Sequence, residues 1–230
     1  AFAPPNRRIL GTREAGGGGY RWPLGAGIVK STGGGTNWSL VNSNAKTFSQ
    51  IIVDETNPLV MYAAYNNNGF PSQSGSILKS IDGRDTWRKL TITLSGPISM
   101  AYNPSQPLIL LAGGFGSISR STDSGSTWKK VTTGLPANGA RISIANAPSD
   151  PNLFYASIGA GTGTMLGVWM STDAGSTWKK MMGYDPTQYS SPTNVNPFGQ
   201  AQYWCNAIAV RPSNPKQIYV AGLDLYTSSD

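Results

Sequence analysis

The acidic side chains are the groups of this 230-residue sequence best suited to acid–base or nucleophilic chemistry, because the chain has no histidine and one cysteine. Hydrolysis of a glycosidic bond would require two carboxylates that face each other across that bond. Of the eleven acidic residues, four occupy the third position of a short repeated pattern: Asp82, Asp123, Asp173 and Asp230. Three others stand at proline-rich turns: Asp54, Glu55 and Asp150.

Four acidic residues remain outside these two groups: Glu14, Asp85, Asp185 and Asp224. Asp185 lies in a long loop and Asp224 follows the apolar stretch IYVAG, so both could reach the loop face of a β-sheet protein. Residues in such places more often serve a turn or a strand. The sequence therefore assigns no catalytic residue, and Asp185 and Asp224 stay open as candidates.

Metal and cofactor chemistry has no support in the residue types present. The cysteine and histidine spacings of zinc sites are absent, and the glycine-rich segment 11–20 lacks the strand-to-helix pattern of a phosphate-binding loop. Cys205 has no nearby histidine and is expected to be a buried apolar thiol. We expect neither a metal site nor a cofactor.

A repeated ten-residue pattern sets the organisation of the chain. STDSGSTWKK at Ser121–Lys130 returns as STDAGSTWKK at Ser171–Lys180, with relatives SIDGRDTW at Ser80–Trp87 and STGGGTNW at Ser31–Trp38. A further copy begins at Ser228, so the first serines are 49, 41, 50 and 57 residues apart. Periods of this length, with several short strands each, are typical of propeller blades or a β-solenoid.

Each period is predicted to form four strands joined by tight turns. In the third period these strands cover 141–147, 152–158, 167–171 and a segment that opens at Trp178. Within the repeated pattern, Ser and Asp side chains can accept backbone N–H bonds, and Gly125 and Gly175 can take the positive φ of a tight turn. The closing tryptophan is expected to bury its ring.

The pattern S-x-D-x-G-x-T-W resembles the Asp-box, or bacterial neuraminidase repeat, and its companion N-P-x-x-x-Y strengthens the resemblance. Together they are similar to the β-propellers of sortilin-type receptors, xyloglucanase-type glycosidases and secreted Bacteroidetes-type surface proteins. The resemblance implies an all-β propeller of four-stranded antiparallel blades, secreted or at the cell surface. The residues that match the box are Ser80, Asp82, Trp87, Ser121, Asp123, Gly125, Trp128, Ser171, Asp173, Gly175 and Trp178.

Three box residues depart from the Asp-box pattern, and the last repeat in residues 1–230 is incomplete. In the first box Gly33 replaces the Asp and Asn37 the Thr, and in the second box Arg84 replaces the Gly. The first box is therefore expected to be looser than the others. We expect residues 1–230 to form a single, incomplete propeller domain of four repeats and part of a fifth. A downstream segment or another chain would complete it.

Two long loops are expected to project from one face of the propeller, at 65–76 and 181–204. Aromatic rings among amides suit a sugar or an extended peptide, although the same rings could pack the loops onto the scaffold. The candidate ligand-binding residues are Tyr65, Asn67, Phe70, Tyr184, Tyr189, Phe198, Tyr203 and Trp204.

The net charge of +7 and pI of about 9.6 are compatible with a polyanionic partner. Three cation pairs follow a box tryptophan at the start of a predicted outermost strand: Arg88–Lys89, Lys129–Lys130 and Lys179–Lys180. Lysines there also discourage aggregation between sheet edges. Nucleic-acid motifs and apolar runs of membrane-spanning length are absent from the sequence, so we expect neither partner.

The sequence favours a binding or scaffold module that presents loops to a protein or glycan, within a larger surface assembly. The alternative is a polysaccharide-degrading glycoside hydrolase, xyloglucanase- or sialidase-like, whose carboxylates lie partly outside this segment. The sequence has no Arg-Ile-Pro motif, which the sialidase hypothesis expects. It also has no aspartate segment beside GGGGYRW at Gly16–Trp22, which the xyloglucanase hypothesis expects. A photosystem-type assembly factor ranks last, because such proteins lack the N-P-x-x-x-Y companion.

Overall fold

The computed structural model describes residues 8–11, 27–42, 47–66, 75–83, 86–94, 96, 99–103, 105–184, 194, 196–199 and 205–228. Within these ranges every regular element is a β-strand, all strand pairs are antiparallel, and no helix could cross a membrane. The chain forms two compact units, Ala1–Ile98 and Ser99–Asp230, and the sheets of each are described in turn.

The first unit contains two sheets whose strands follow sequence order. The three-stranded sheet consists of β1 (Arg8–Gly11), β2 (Ile28–Ser31) and β3 (Ser39–Asn42). The four-stranded sheet consists of β4 (Thr47–Val53), β5 (Met61–Asn66), β6 (Gly75–Ser80) and β7 (Arg88–Lys89). Their shared core is formed by Ile28, Phe48, Ala63, Tyr65 and Leu78.

The second unit contains three sheets. The first consists of β8 (Ser99–Tyr102), β9 (Leu110–Gly113), β10 (Ile118–Ser121) and β11 (Lys129–Val131). The second consists of β12 (Gly139–Ala147), β13 (Asp150–Ala160), β14 (Met165–Ser171) and β15 (Lys179–Met182). The third consists of β16 (Ala207–Arg211), β17 (Asn214–Ala221) and β18 (Leu225–Ser228).

Burial falls across each four-stranded sheet from its second strand to its last. Strands β5 and β9 are buried at every position, whereas β7, β11 and β15 begin with exposed cations. A short continuous apolar run is typical of a strand that is covered on both faces. The expectation that the lysine pairs begin the outermost strands is therefore confirmed.

The four strands expected in the third period are all present; the first two turns between them are shorter than expected, and the third is one residue longer. Strand β13 covers Asp150–Ala160 where the sequence predicted 152–158, because it extends into the proline-rich turn at its start. The last strand begins at Lys179, one residue after the box tryptophan. Strand order and type were thus readable from the sequence, and the strand ends were not.

Candidate functional site

The repeated turn between the third and fourth strand of a sheet is held by one aspartate and one serine. Asp123 accepts hydrogen bonds from the Ser121 hydroxyl (2.8 Å), the Thr127 N–H (2.8 Å) and the Thr127 hydroxyl (2.6 Å). The Ser121 Oγ in turn accepts the Gly125 N–H at 2.8 Å. Ser171 and Asp173 make the same set of bonds in the next sheet. The turn is closed by its own side chains.

The backbone of this turn is left-handed at two consecutive residues. Ser124 has φ 56° and Gly125 φ 82°, and the Ser126 N–H bonds the Asp123 carbonyl at 3.2 Å, the pattern of a type I′ turn. Positive φ at the glycine was expected, but left-handed geometry at Ser124 and at Ala174 (φ 55°) was missed. A non-glycine residue pays roughly 1–2 kcal/mol for this geometry, which the aspartate network offsets.

The same hydrogen bonds perturb the pKa of the turn carboxyls. The Thr127 hydroxyl, followed by the Thr127 N–H and the Ser121 hydroxyl, lowers the pKa of Asp123 to about 2. For Asp173, partial burial acts to raise the pKa, but the bonds from Thr177 and Ser171 outweigh it and the pKa is lowered. Both groups are held as carboxylates whose oxygens are already occupied, which suits a structural role.

Acid should loosen these turns. The two carboxyls bind fewer protons in the folded chain than in the unfolded chain, where their pKa is about 3.9. The stability they add is therefore present above about pH 4 and is lost as the pH falls toward the folded-state value of about 2 for Asp123. We expect the urea midpoint to drop across that window, and to drop less in the Asp123→Asn, Asp173→Asn double variant. Identical pH profiles would contradict this assignment.

The first turn departs from this pattern, as its sequence predicted. Gly33 supplies no carboxylate, and the Thr36 hydroxyl instead bonds the Gly33 carbonyl at 2.9 Å. The expectation that every box tryptophan is buried is wrong here: Trp38 is 40% exposed, whereas Trp128 and Trp178 are 7% and 5% exposed. The indole N–H of Trp38 still bonds the Gly35 carbonyl, as that of Trp128 bonds the Gly125 carbonyl.

Two of the predicted ligand-binding aromatics are packing residues. Tyr65 is 2% exposed, with its ring centroid 6.1 Å from that of Phe48, and burial raises its pKa. Phe198 is fully buried in a cluster with Tyr155, Val168 and Val220. A ring in either position cannot stack on a ligand without opening the core, so the ligand-binding assignment of these two residues is corrected. The sequence shows the aromatic rings of a loop but not the direction in which they face.

The remaining predicted positions divide into two groups. Tyr184 is half-buried at the margin of the Phe198 cluster, so part of its surface is accessible. Asp224 is exposed in the β17–β18 turn, and its N–H bonds the Pro197 carbonyl at 3.2 Å. That bond brings Asp224 beside Pro197 of the long 181–204 connection. The positions outside the described residues are Asn67, Phe70, Asp185, Tyr189, Tyr203 and Trp204.

A buried polar cluster lies at the start of β16, and no sequence motif indicated it. The Asn206 side-chain amide donates to the carbonyls of Arg141 (3.1 Å) and Ser157 (3.2 Å), and the Ser143 hydroxyl donates to the Asn206 carbonyl (2.6 Å). These bonds join residues 49 to 65 positions apart. The cluster ties β16 to β12 and β13. The three bonds named above all end on a backbone carbonyl, whereas the Asn206 Oδ1 and the Ser157 Oγ are buried there with no hydrogen-bond partner among the described residues.

A polar cleft of about 260 Å³ opens between the β10–β11 hairpin and the turn that precedes β15. Its lining consists of hydroxyl and cationic side chains around one valine: Arg120, Thr122, Thr127, Lys129, Lys130, Val131, Thr132, Thr133 and Ser176. The Arg120 Nε donates to the Ala174 carbonyl at 2.7 Å. Burial lowers the pKa of Arg120 and the Asp173 charge opposes that shift, but a guanidinium stays protonated at neutral pH.

Comparison with known proteins identifies the fold. No family model and no curated protein matches the sequence. A GH74 xyloglucanase from Xanthomonas campestris is similar over 99% of this chain and 35% of its own, with TM-score 0.70 and 17% identity. A GH74 enzyme from Niastella koreensis is similar over 89% and 33%, with TM-score 0.64 and 21% identity. YCF48 from Cyanidioschyzon merolae is similar over 90% and 62%, with TM-score 0.52 and 17% identity.

These likenesses define the class of fold and nothing finer. The chain spans about a third of the length of the two GH74 enzymes. The predicted fold class, an all-β propeller of four-stranded antiparallel blades seen in part, is confirmed. Sequence identities of 17–21% do not show that this chain shares the activity of those proteins.

Proposed function

We propose that this chain belongs to a secreted or cell-surface Asp-box propeller that binds a protein or glycan through its long loops, within a larger surface assembly. The observation that supports this proposal most is that most of the described carboxylates are engaged in hydrogen bonds within their own turns. Five of the seven described ones bond their own turn through the carboxylate: Asp54, Asp82, Asp123, Asp150 and Asp173. A glycosidase requires a pair of free carboxylates across the substrate.

The loop face is the surface best placed for a partner. Tyr184, in the 181–204 connection, is half-buried against the Phe198 cluster, and the Asp224 N–H bonds the Pro197 carbonyl of the same connection. An aromatic ring with one buried side is pre-organised, so it loses little conformational freedom when a sugar ring or a peptide covers its open side. The rigid sheets below it, with buried second strands, would hold that surface in place.

Glycoside hydrolysis is the second candidate function, and the exposed carboxyl group of Asp224 beside the 181–204 connection is what favours it. In that case Asp224 would be one of the two carboxylates. Its partner would lie in the loop at Asp185 or in another part of the protein. The two roles differ in what happens to a bound polysaccharide: a binding module retains it intact, and a hydrolase releases new reducing ends.

The test uses immobilised polysaccharides, xyloglucan included, and immobilised surface-protein candidates, with retained protein as the first readout. Tyr184→Ala is expected to reduce retention about 10-fold, because the ring loses its contact with the partner. Trp38→Ala removes an aromatic ring that is also 40% exposed, in the first box turn and away from the 181–204 connection in sequence, and is the matched control, expected to change retention less than about 2-fold. Equal losses in both variants, or none in either, would contradict a site on the loop face.

A further inference from the structure

The polar cleft beside β10 contains two like charges that the fold brings together without neutralising them. Arg120 and Lys129 are direct partners in the antiparallel register of β10 and β11, so their side chains share one face of the sheet. Like charges in directly opposed positions destabilise a strand pair. Among the described residues, the Arg120 side chain makes a hydrogen bond through its Nε, and the Lys129 side chain makes none. Donors of both cations therefore remain available in the cleft.

The nearby carboxylates do not satisfy these cations. Asp173 attracts Arg120 electrostatically, but its oxygens accept bonds from Ser171, Ser176 and Thr177. Asp123 is occupied in the same way by the turn before β11. The hydroxyls of Thr122, Thr132, Thr133 and Ser176 line the cleft and are exposed, so they could donate to a ligand.

Protection of sheet edges does not account for this arrangement. A lysine on the outermost strand discourages pairing with another sheet, which explains Lys129 and its counterpart Lys179. Arg120 instead lies on β10, one strand in from the edge, where no such protection is needed. Its side chain is half-buried, and the Ala174 carbonyl and the Asp173 charge compensate its charge in part, through the Nε and at a distance. The terminal nitrogens of the guanidinium are left to face the cleft without a hydrogen bond to a described residue.

The other repeats provide an internal comparison. Lys179 faces Met170 across β14 and β15, and Lys30 faces Ser39 across β2 and β3, so neither pair combines two cations. Lys79 faces Arg88, but its ammonium lies 5.3 Å from the Tyr62 ring centroid. Among the described strand pairs, the combination of two opposed cations with a hydroxyl-lined cleft occurs at Arg120.

We propose that this cleft binds a sulfate or carboxylate group of an acidic glycan, with Arg120 and Lys129 as the charged contacts and the threonine hydroxyls around the sugar. A guanidinium suits such oxyanions because it can donate two parallel hydrogen bonds. A volume of about 260 Å³ is that of a subsite for one sugar unit, not for a longer ligand. None of the described lining residues is aromatic, which disfavours the base stacking that single-stranded nucleic acid requires.

The inference rests on the proposed function in the case where the partner is a glycan. Binding of dextran sulfate, compared with binding of neutral dextran, tests it, because the two polymers share one backbone. Arg120→Gln and Lys129→Gln are each expected to weaken binding of dextran sulfate about 10-fold at physiological salt. Lys179→Gln is the matched control: it makes the same charge change at the same position of the next repeat, opposite Met170. It should weaken binding less than about 2-fold. Polygalacturonate, run in parallel, distinguishes a carboxylate ligand from a sulfate ligand.

Three outcomes would overturn the inference. Equal losses from Lys129→Gln and Lys179→Gln would mean that binding follows net charge and needs no cleft. Stronger binding of single-stranded DNA with the same dependence on Arg120 would assign the cleft to nucleic acid. Failure of both acidic polymers to bind would remove the site, while retention of a neutral glycan or protein by the loop face would leave the proposed function intact. If Arg120→Gln unfolds the chain by losing its bond to Ala174, the Lys129→Gln result decides.

Discussion

Gly134→Ala is expected to destabilise the second unit by more than about 3 kcal/mol, the largest effect of a single methyl group in the described chain. Gly134 has φ 79°, and a Cβ atom there would lie 1.6 Å from the Trp178 carbonyl oxygen. The backbone cannot easily withdraw, because the Trp178 N–H is bonded to the Thr133 carbonyl at 3.1 Å. The free energy of unfolding in urea, followed by tryptophan fluorescence, measures the loss.

Gly34→Ala is the matched control for this prediction. Gly34 has a similar φ of 70°, but nothing lies within 4 Å of an added Cβ. The substitution should therefore cost only the backbone strain of a left-handed alanine, about 1–2 kcal/mol. If the two variants lost the same stability, the close approach between Gly134 and the Trp178 backbone would be wrong.

Trp178→Ala is the second substitution with a large expected effect: it should lower the free energy of unfolding by about 3–5 kcal/mol. The indole is 5% exposed and packs in a cluster with Leu111, Ile118 and Val131. Removing it would leave a cavity lined by residues of β9, β10 and β11, and those strands cannot collapse to fill it without distorting their sheet.

Trp38→Ala makes the same change at the same place in the motif and should cost about 1 kcal/mol or less, because Trp38 is 40% exposed. The comparison needs only thermal or urea unfolding of the two variants and the parent chain. A loss at Trp38 as large as that at Trp178 would mean that the first turn is packed as tightly as the others.

The repeat was predictable because its turn is stabilised locally. Ser121, Asp123 and Thr127 lie within seven positions of one another, so residue types alone indicate the bonds they make. The same spacing places a glycine where φ must be positive. Strand order followed from the period of the repeat, and with it the fold class.

The features that escaped prediction depend on contacts between distant residues. Arg120 reaches the Ala174 carbonyl 54 positions away, and Asn206 reaches Arg141 65 positions away. Nothing in a single sequence reports which residues those sheets bring together. For the same reason, the aromatic ring of Tyr65 could be read as a loop residue when it is buried beside Phe48. Periodicity predicts the elements of the fold, and the packing between them has to be observed.

The ratio of released reducing ends to retained protein on the polysaccharide panel tests the central claim, that this chain binds its partner without cleaving it. We predict retention on at least one partner, sensitive to Tyr184→Ala, with reducing ends no higher than in a protein-free blank. Reducing ends that rise linearly with time and disappear in Asp224→Asn would contradict it. That result would make the chain part of a glycoside hydrolase and Asp224 one of its carboxylates.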